Sequence, residues 1–363
     1  MEPIEYLRFA QTLPQDLRFN FCQSGIRPVE TREFGLNWPE VGLSGRNAGG
    51  MPRLRERVAK LYGVDPARVL LSLGATMVNY LLFGALIEPG DRVLVETPVY
   101  EPLYRIPAHF GATVEYVERR FEEGFALPLA AIRAGFEHGA KLLVLTHPHN
   151  PSGALLTVDE LVELGQLAEE HRALVLVDEV YLELVASNDH SACHFGGSFI
   201  ICNSLTKSLG FPGVRCGWAI APPAVVEAAL QFNNYILAMN PWVTESLAER
   251  ILLAREQFIV RAKSIARESR PLFDSFVERD PRLDWVPPRG GVIGFVKLGG
   301  IDSAKFATFL RRKRYIMVVP GEYFRAPGFI RMGFGLPPKA LEEGLGEVAA
   351  TIDDYLADPF ASM

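Results

Sequence analysis

LLVLTHPHNPSGALLTVDELVELGQLAEEHRALVLVDEVY, residues 142–181, decides the fold. Its two apolar runs, Leu142–Leu145 and Leu174–Val177, have no polar face, as strands of a parallel sheet covered on both sides require. Between them Thr157-Val-Asp-Glu160 reads as a capping box that starts a helix, and Leu161, Leu164 and Leu167 line one face of it. Strand, helix and strand in this order predict a βαβ crossover.

The same grammar extends in both directions. Further β-branched or apolar runs lie at Val69–Leu71, Val93–Val95, Thr113–Val117, Phe199–Cys202 and Cys216–Ile220, which brings the predicted strands to seven. A helix following Gly74 turns Val78, Leu81 and Leu82 inward and stops at Glu88-Pro-Gly. Another, Met51–Tyr62, carries Leu54, Val58 and Leu61 on one stripe and ends at Gly63. The alternation weakens after about residue 250, where a long helical stretch leads to Asp280-Pro. GGVIGFVKL (290–298) then reads as a strand, and RYIMVVPGEYFRAPGFIRMGFG (314–335) as two strands around a loop. From Pro338 a last helix spaces Leu341, Leu345, Val348, Ile352 and Tyr355 on one face. The expected fold is α/β: a large domain, 45–255, with a mostly parallel seven-stranded sheet covered by helices. A smaller α+β domain is expected from both chain ends, 1–44 with 256–363.

Composition narrows the function classes. The chain has 363 residues, 48% hydrophobic and 22% charged, ordinary for a globular protein. A formal net charge of -6 without a basic stripe argues against nucleic acid or an anionic membrane as partner. Cys22, Cys193, Cys202 and Cys216 form no CxxC pair, which fits a reducing compartment. The start, MEPIEYLRFAQTLPQDL, lacks a basic segment followed by an apolar one, and no apolar run approaches the ~20 residues that span a bilayer. A cytoplasmic location is expected. Neither GxGxxG nor GxxxxGK[ST] occurs.

In a doubly wound sheet, ligands bind beyond the carboxyl ends of the strands. The polar residues at those ends are Gly74-Ala75-Thr76, His147-Pro-His-Asn150-Pro-Ser-Gly153, Asp178 with Tyr181, and Ser204 with Thr206, Lys207 and Arg215. A helix start with small residues admits a phosphate to its N–H groups, with Thr76, Ser204 and Arg215 to complete the cradle. Lys207 is placed to form an imine with a carbonyl. Asp178 suits a protonated pyridine nitrogen, Asn150 and Tyr181 a ring hydroxyl, and Tyr100 a ring face. Taken singly, each has an ordinary reading: a solvated lysine, a helix-capping aspartate, a packed tyrosine, a turn at Asn150-Pro-Ser-Gly, an ion-paired strand arginine. His147 and His149 form an H-x-H, but without a third ligand at sensible spacing they read as an ordinary loop and no metal is expected.

The strings themselves resemble a known family. SLTKSLGFPGVRCGW (204–218) resembles the lysine signature of fold type I enzymes that use pyridoxal 5'-phosphate (PLP), the class I/II aminotransferases. HPHNPSG is similar to that family's NP-x-NP-[TS]-G loop, VDEVYLEL to its D-x-x-Y segment, and VVPGEYFRAPGFIRMGFG to its C-terminal arginine motif. GATMVNYLLFGALIEPGDRVLVETPVYEPL (74–103) is similar to the stretch from the phosphate loop to the ring-stacking aromatic. The resemblance implies a Schiff base between PLP and Lys207, which then shuttles a proton. It implies Asp178 on the pyridine nitrogen, Asn150 and Tyr181 on the ring hydroxyl, and Tyr100 on the ring face. Ala75, Thr76, Ser204 and Arg215 would bind the phosphate, and Arg331 would grip the substrate carboxylate. Gly25, in QSGIRPVE, would lie over that carboxylate, with Asn150 close by.

Three departures stand out. LSGRNAGGMPRLRE (43–56) lacks the tyrosine that in the family reaches a neighbouring subunit's phosphate, leaving Arg46 and Asn47 as candidates for that contact or for substrate. His147 stands where Asn, Ser or Thr is common, and Arg325 where glycine is common. The implied activity is amino transfer between an amino acid and a 2-oxo acid by ping-pong kinetics in a homodimer. The alternatives are a PLP-dependent C–S β-lyase, a decarboxylase, a cyclising enzyme or a histidinol-phosphate aminotransferase. More remote is a non-catalytic PLP-binding regulator, which would carry a DNA-binding domain ahead of the first core helix.

Overall fold

The protein is described by a computed structural model covering residues 3–14, 16–35 and 41–358. Its largest sheet has seven strands: β1 (Val69–Ser72), β2 (Arg92–Thr97), β3 (Thr113–Glu118), β4 (Leu142–Thr146), β5 (Leu174–Asp178), β6 (Phe199–Ser204) and β7 (Gly217–Ile220). They are ordered β1-β7-β6-β5-β4-β2-β3. Every neighbouring pair is parallel except those involving β7, which runs against both β1 and β6. The central strands β4 and β6 are buried at every residue, whereas β3, at the sheet edge, exposes Thr113, Tyr116 and Glu118 and buries only Val117. That contrast follows from position: helices cover the middle of the sheet on both faces, and an edge strand keeps one side open to water.

The crossover between β4 and β5 is the helix Val158–Glu170. Its capping box closes as the sequence predicts: the Glu160 N–H donates to Thr157 Oγ1 (3.2 Å) and the Thr157 N–H to Glu160 Oε2 (2.7 Å). Leu161, Leu164 and Leu167 are buried beneath it; each such side chain contributes about 1.5–3 kcal/mol by leaving water. Val78, Leu81 and Leu82 of the helix Ala75–Leu86 are buried on the other face.

A second sheet of four antiparallel-paired strands contains β8 (Leu283–Trp285), β9 (Ile293–Leu298), β10 (Val319–Pro320) and β11 (Phe329–Gly333), in the order β10-β11-β9-β8. The final helix, Pro338–Ala357, buries all five residues predicted for its inner face. The N-terminal segment joins this part through Phe19–Asn20, which pairs in parallel with Ile316–Met317. The helix Arg255–Glu278 links the two cores: Phe258 and Ile259 pack with the large sheet, and Phe273, Phe276 and Val277 with the second.

Topology decides where polar residues gather. The parallel strands β1, β2, β4, β5 and β6 end at one edge, and the reversed β7 begins there, with Ser72 and Ser204 both opposite Gly217. The loops that follow those ends therefore face each other, and so does Arg215, two residues before β7 starts.

Candidate active site

A cavity of about 370 Å³ lies at that edge, walled by Ala75, Thr76, Tyr100, Asn150, Asp178, Tyr181, Ser204, Lys207, Arg215 and Arg331 among others. Ten of the eleven residues singled out in the sequence thus meet in one place. Gly25 does not line it. It packs behind Lys207, where an added Cβ would stand 3.2 Å from Lys207 Cα, and its neighbours Cys22, Gln23 and Ser24 supply the wall instead.

At one end of the cavity Gly74, with φ +81°, caps the helix Ala75–Leu86, so the first N–H groups of that helix point outward. A side chain at Gly74 would meet Arg215 Nη2 at 2.5 Å, so only glycine lets the guanidinium lie across the helix start. Arg215 itself sits at φ +53° and donates to Pro212 O (3.3 Å). Thr76 and Arg215 are exposed, so the cavity opens to solvent at this end. The combination of helix dipole, hydroxyls and one guanidinium fits a phosphate.

In the middle, Asp178 ends β5. Burial raises its pKa above the ordinary carboxylate value, opposed by the Val180 N–H and by the Asn79 amide, which donates to Oδ2 at 3.2 Å. Lys207 donates from Nζ to Ser24 Oγ at 2.8 Å. Enclosure of that amine, with the nearby Arg331 charge, lowers its pKa to about 8, so a far larger minority is neutral near physiological pH than for an ordinary lysine. Tyr181 and Tyr100 are shifted upward, again mainly by burial, and both remain neutral phenols.

Asn150 is anchored from behind: its N–H donates to Thr146 Oγ1 (2.8 Å), and Thr146 in turn donates to Glu96 Oε1 (2.6 Å). Glu96 is held by a buried ion pair with Arg119 (2.9 Å). The Asn150 Oδ1 atom is buried without a partner. So is Nε of Arg331, a guanidinium buried completely at the far end, which donates through Nη2 to Cys22 O (2.6 Å) and Tyr6 OH (3.2 Å). No carboxylate among the described residues pairs with it. Both residues line the cavity, and buried polar atoms without a protein partner at such a place fit a site shaped for a ligand. The residues fit a phosphorylated pyridine aldehyde at one end and a carboxylate at the other.

Tyr6, Asn79 and Ser24 escaped the sequence reading. Tyr6 comes from the helix Glu5–Gln11 and stands edge-on to Tyr100 at 5.2 Å. Asn79 carried a usable signal, because an amide beside Val78 on the inner face of an apolar helix needs a buried partner. Tyr6 and Ser24 carried none. Asn47, weighed for a contact with phosphate or substrate, instead donates to Asn240 O and Glu245 Oε2, both at 2.7 Å, in a buried network of its own chain; Arg46 is exposed. Arg325 adopts φ +63°, the conformation that favours the glycine common there, and lies 4.0 Å over the Tyr116 ring. His149 is bonded to Ser152 Oγ (2.6 Å) and Pro98 O (2.7 Å), and the Leu156 N–H donates to His147 Nδ1 (3.3 Å), as the loop reading of both predicts.

Comparison with known proteins places this geometry. Capreomycidine synthase of Streptomyces vinaceus is 30% identical over 313 residues, covering 84% of this chain and 80% of that protein. Arginine–pyruvate transaminase of Pseudomonas aeruginosa is 29% identical over 321 residues, 85% of this chain and 82% of that one. A solved structure of a PLP-dependent aminotransferase from Streptococcus suis has a TM-score of 0.92 at 26% identity, covering 98% of each chain. Residues 45–348 match the family described as aminotransferase class I and II, and the chain belongs to that family.

Proposed function

We propose that the chain moves an amino group between an α-amino acid and a 2-oxo acid, with PLP held in the cavity by Lys207. One observation carries the reading. A half-buried amine with a pKa near 8 shares a single cavity with a buried carboxylate, an anion cradle and an arginine whose Nε is unpaired.

Ala75, Thr76, Ser204 and Arg215 bind the phosphate. Asp178, steadied by Asn79, faces the pyridine nitrogen, Asn150 and Tyr181 hold the ring hydroxyl, and Tyr100 covers a ring face. When bound, PLP supplies an aldehyde carbon for imine exchange and a ring that takes up the electron pair released at the substrate Cα. Arg331 grips the α-carboxylate through parallel N–H bonds and thereby fixes the Cα–H direction. The Lys207 amine, freed by the incoming amino group, removes that proton and returns it to the cofactor side. One cavity serves both substrates in turn, so the kinetics are ping-pong.

The same deprotonated substrate leads to β-elimination or ring closure when side chains direct it there, and breaking the Cα–carboxylate bond in place of the Cα–H bond leads to decarboxylation. The relative named a synthase rather than a transaminase keeps that second reading in view. Three coarser proposals accompany the first. Residues 45–255 form the large domain, with 1–44 and 256–363 forming the small one. A homodimer covers the open phosphate end, supported by the exposed Leu43, Tyr235, Ile236 and Met239. The protein works in the cytoplasm; no helix among the described residues is long and apolar enough to cross a membrane.

A half-reaction screen tests the reading. Amino acids are added singly to the PLP-loaded protein, and formation of the pyridoxamine form plus 2-oxo acid is the expected outcome. Ammonia and pyruvate released without an acceptor would show a lyase. Borohydride reduction followed by peptide mapping should find the cofactor on Lys207 alone; cofactor on another lysine removes the basis of the proposal.

A further inference from the structure

We infer that Ser24 is a positioning residue for the catalytic amine, receiving Lys207 whenever that amine is detached from the cofactor. This rests on the reading of Lys207 given above and deepens it.

Three contacts tie the segment Ser24–Ile26 to Lys207 although 183 residues separate Ser24 from it. The Ile26 N–H donates to Lys207 O at 3.1 Å, which fixes the lysine backbone. Gly25 lies against the stem, where a Cβ would come within 3.3 Å of Lys207 Cδ as well as 3.2 Å of Cα. Ser24 Oγ then accepts from Nζ at 2.8 Å. Backbone, stem and head group are thus each held by consecutive residues of one short segment. Ser24 is buried at 4% exposure, so its hydroxyl is shielded from bulk water on the side away from the amine.

The chemistry of that bond suits proton transfer. A neutral amine has two N–H donors and one lone pair. Donation of one N–H to Ser24 Oγ restrains the head group and leaves the lone pair free to accept the Cα proton. Ser24 also hydrogen-bonds the neutral Tyr181 phenol, so the hydroxyl has a partner besides the amine. The long, flexible lysine stem otherwise samples many rotamers once released. A base held near its proton reacts faster than one that must find it. While Lys207 is attached to the cofactor the bond to Ser24 is not needed, so its loss should leave the resting state undisturbed.

The test compares PLP-loaded wild type with Ser24→Ala. Three quantities are read: the visible spectrum and PLP dissociation constant of the resting protein, kcat and KM, and the rate at which the amino acid α-proton exchanges with D2O. Loss of one positioning hydrogen bond should lower kcat and α-proton exchange together by about tenfold, with KM, resting spectrum and PLP affinity unchanged. Unchanged exchange overturns the inference. So does a fall accompanied by an altered spectrum or weakened PLP binding, which would make Ser24 part of the cofactor pocket. Lys207→Ala is measured in parallel: if α-proton exchange survives there, the assignment of Lys207 fails rather than that of Ser24.

Discussion

Replacing Arg331 by Lys isolates the fork geometry from the charge. The guanidinium is fully buried, donates to Tyr6 OH and Cys22 O, and leaves Nε without a partner. A carboxylate bound there accepts two parallel charge-assisted bonds, each worth about 1.5–3 kcal/mol. Lysine retains the cation but offers a single point of donation, so one such bond is lost. At 1.36 kcal/mol per tenfold, kcat/KM for the preferred amino acid should fall about 10- to 150-fold. The substitution also removes internal bonds to Tyr6 and Cys22, and a general loosening would imitate the effect. A primary amine lacking the α-carboxylate separates the two causes, because it makes no use of the fork. Wild type and Arg331→Lys should process that amine at rates within about threefold of each other while differing widely on the amino acid. Equal losses on both substrates, or no loss on the amino acid, would refute the assignment of Arg331 to the carboxylate.

Two further outcomes follow from groups already described. In cofactor-free protein the nucleophile is the neutral Lys207 amine, so the rate constant for PLP capture should rise about tenfold per pH unit below the lysine pKa and level off above pH about 8; a rise that continues to the ordinary lysine value of 10.5 would show an unperturbed amine. Glu96→Ala leaves Arg119 buried without its partner and should cost about 3–5 kcal/mol by urea unfolding. A loss under about 1 kcal/mol would mean the pair does not brace the Asn150 loop.

The large sheet was legible because each of its strands carries its own signal. Leu142–Leu145 and Leu174–Val177 are apolar throughout, and a helix with a complete capping box joins them, so period and punctuation agree over one short stretch. Much of the site was legible for a related reason: Ser204, Lys207 and Arg215 lie within one loop and the adjoining strand ends, and the direction of the strands sends Asp178 and Asn150 to the same edge. The antiparallel course of β7 was less visible, since a four-residue apolar strand reads alike in either direction. It decides whether Arg215 reaches the helix start at Gly74 at all.

What the chain determines by itself, then, is the set of strands, the helices between them and the residue types that chemistry on an imine requires, because those are written in neighbouring residues. Tertiary structure alone decided that Tyr6 meets Arg331 across 325 residues, that Asn79 steadies Asp178 across 99, and that Ser24 rather than Gly25 faces the cavity. No local pattern encodes such meetings. They arise where two cores, each closed by its own apolar surface, leave a polar seam between them, and which side chains line that seam depends on how the cores pack.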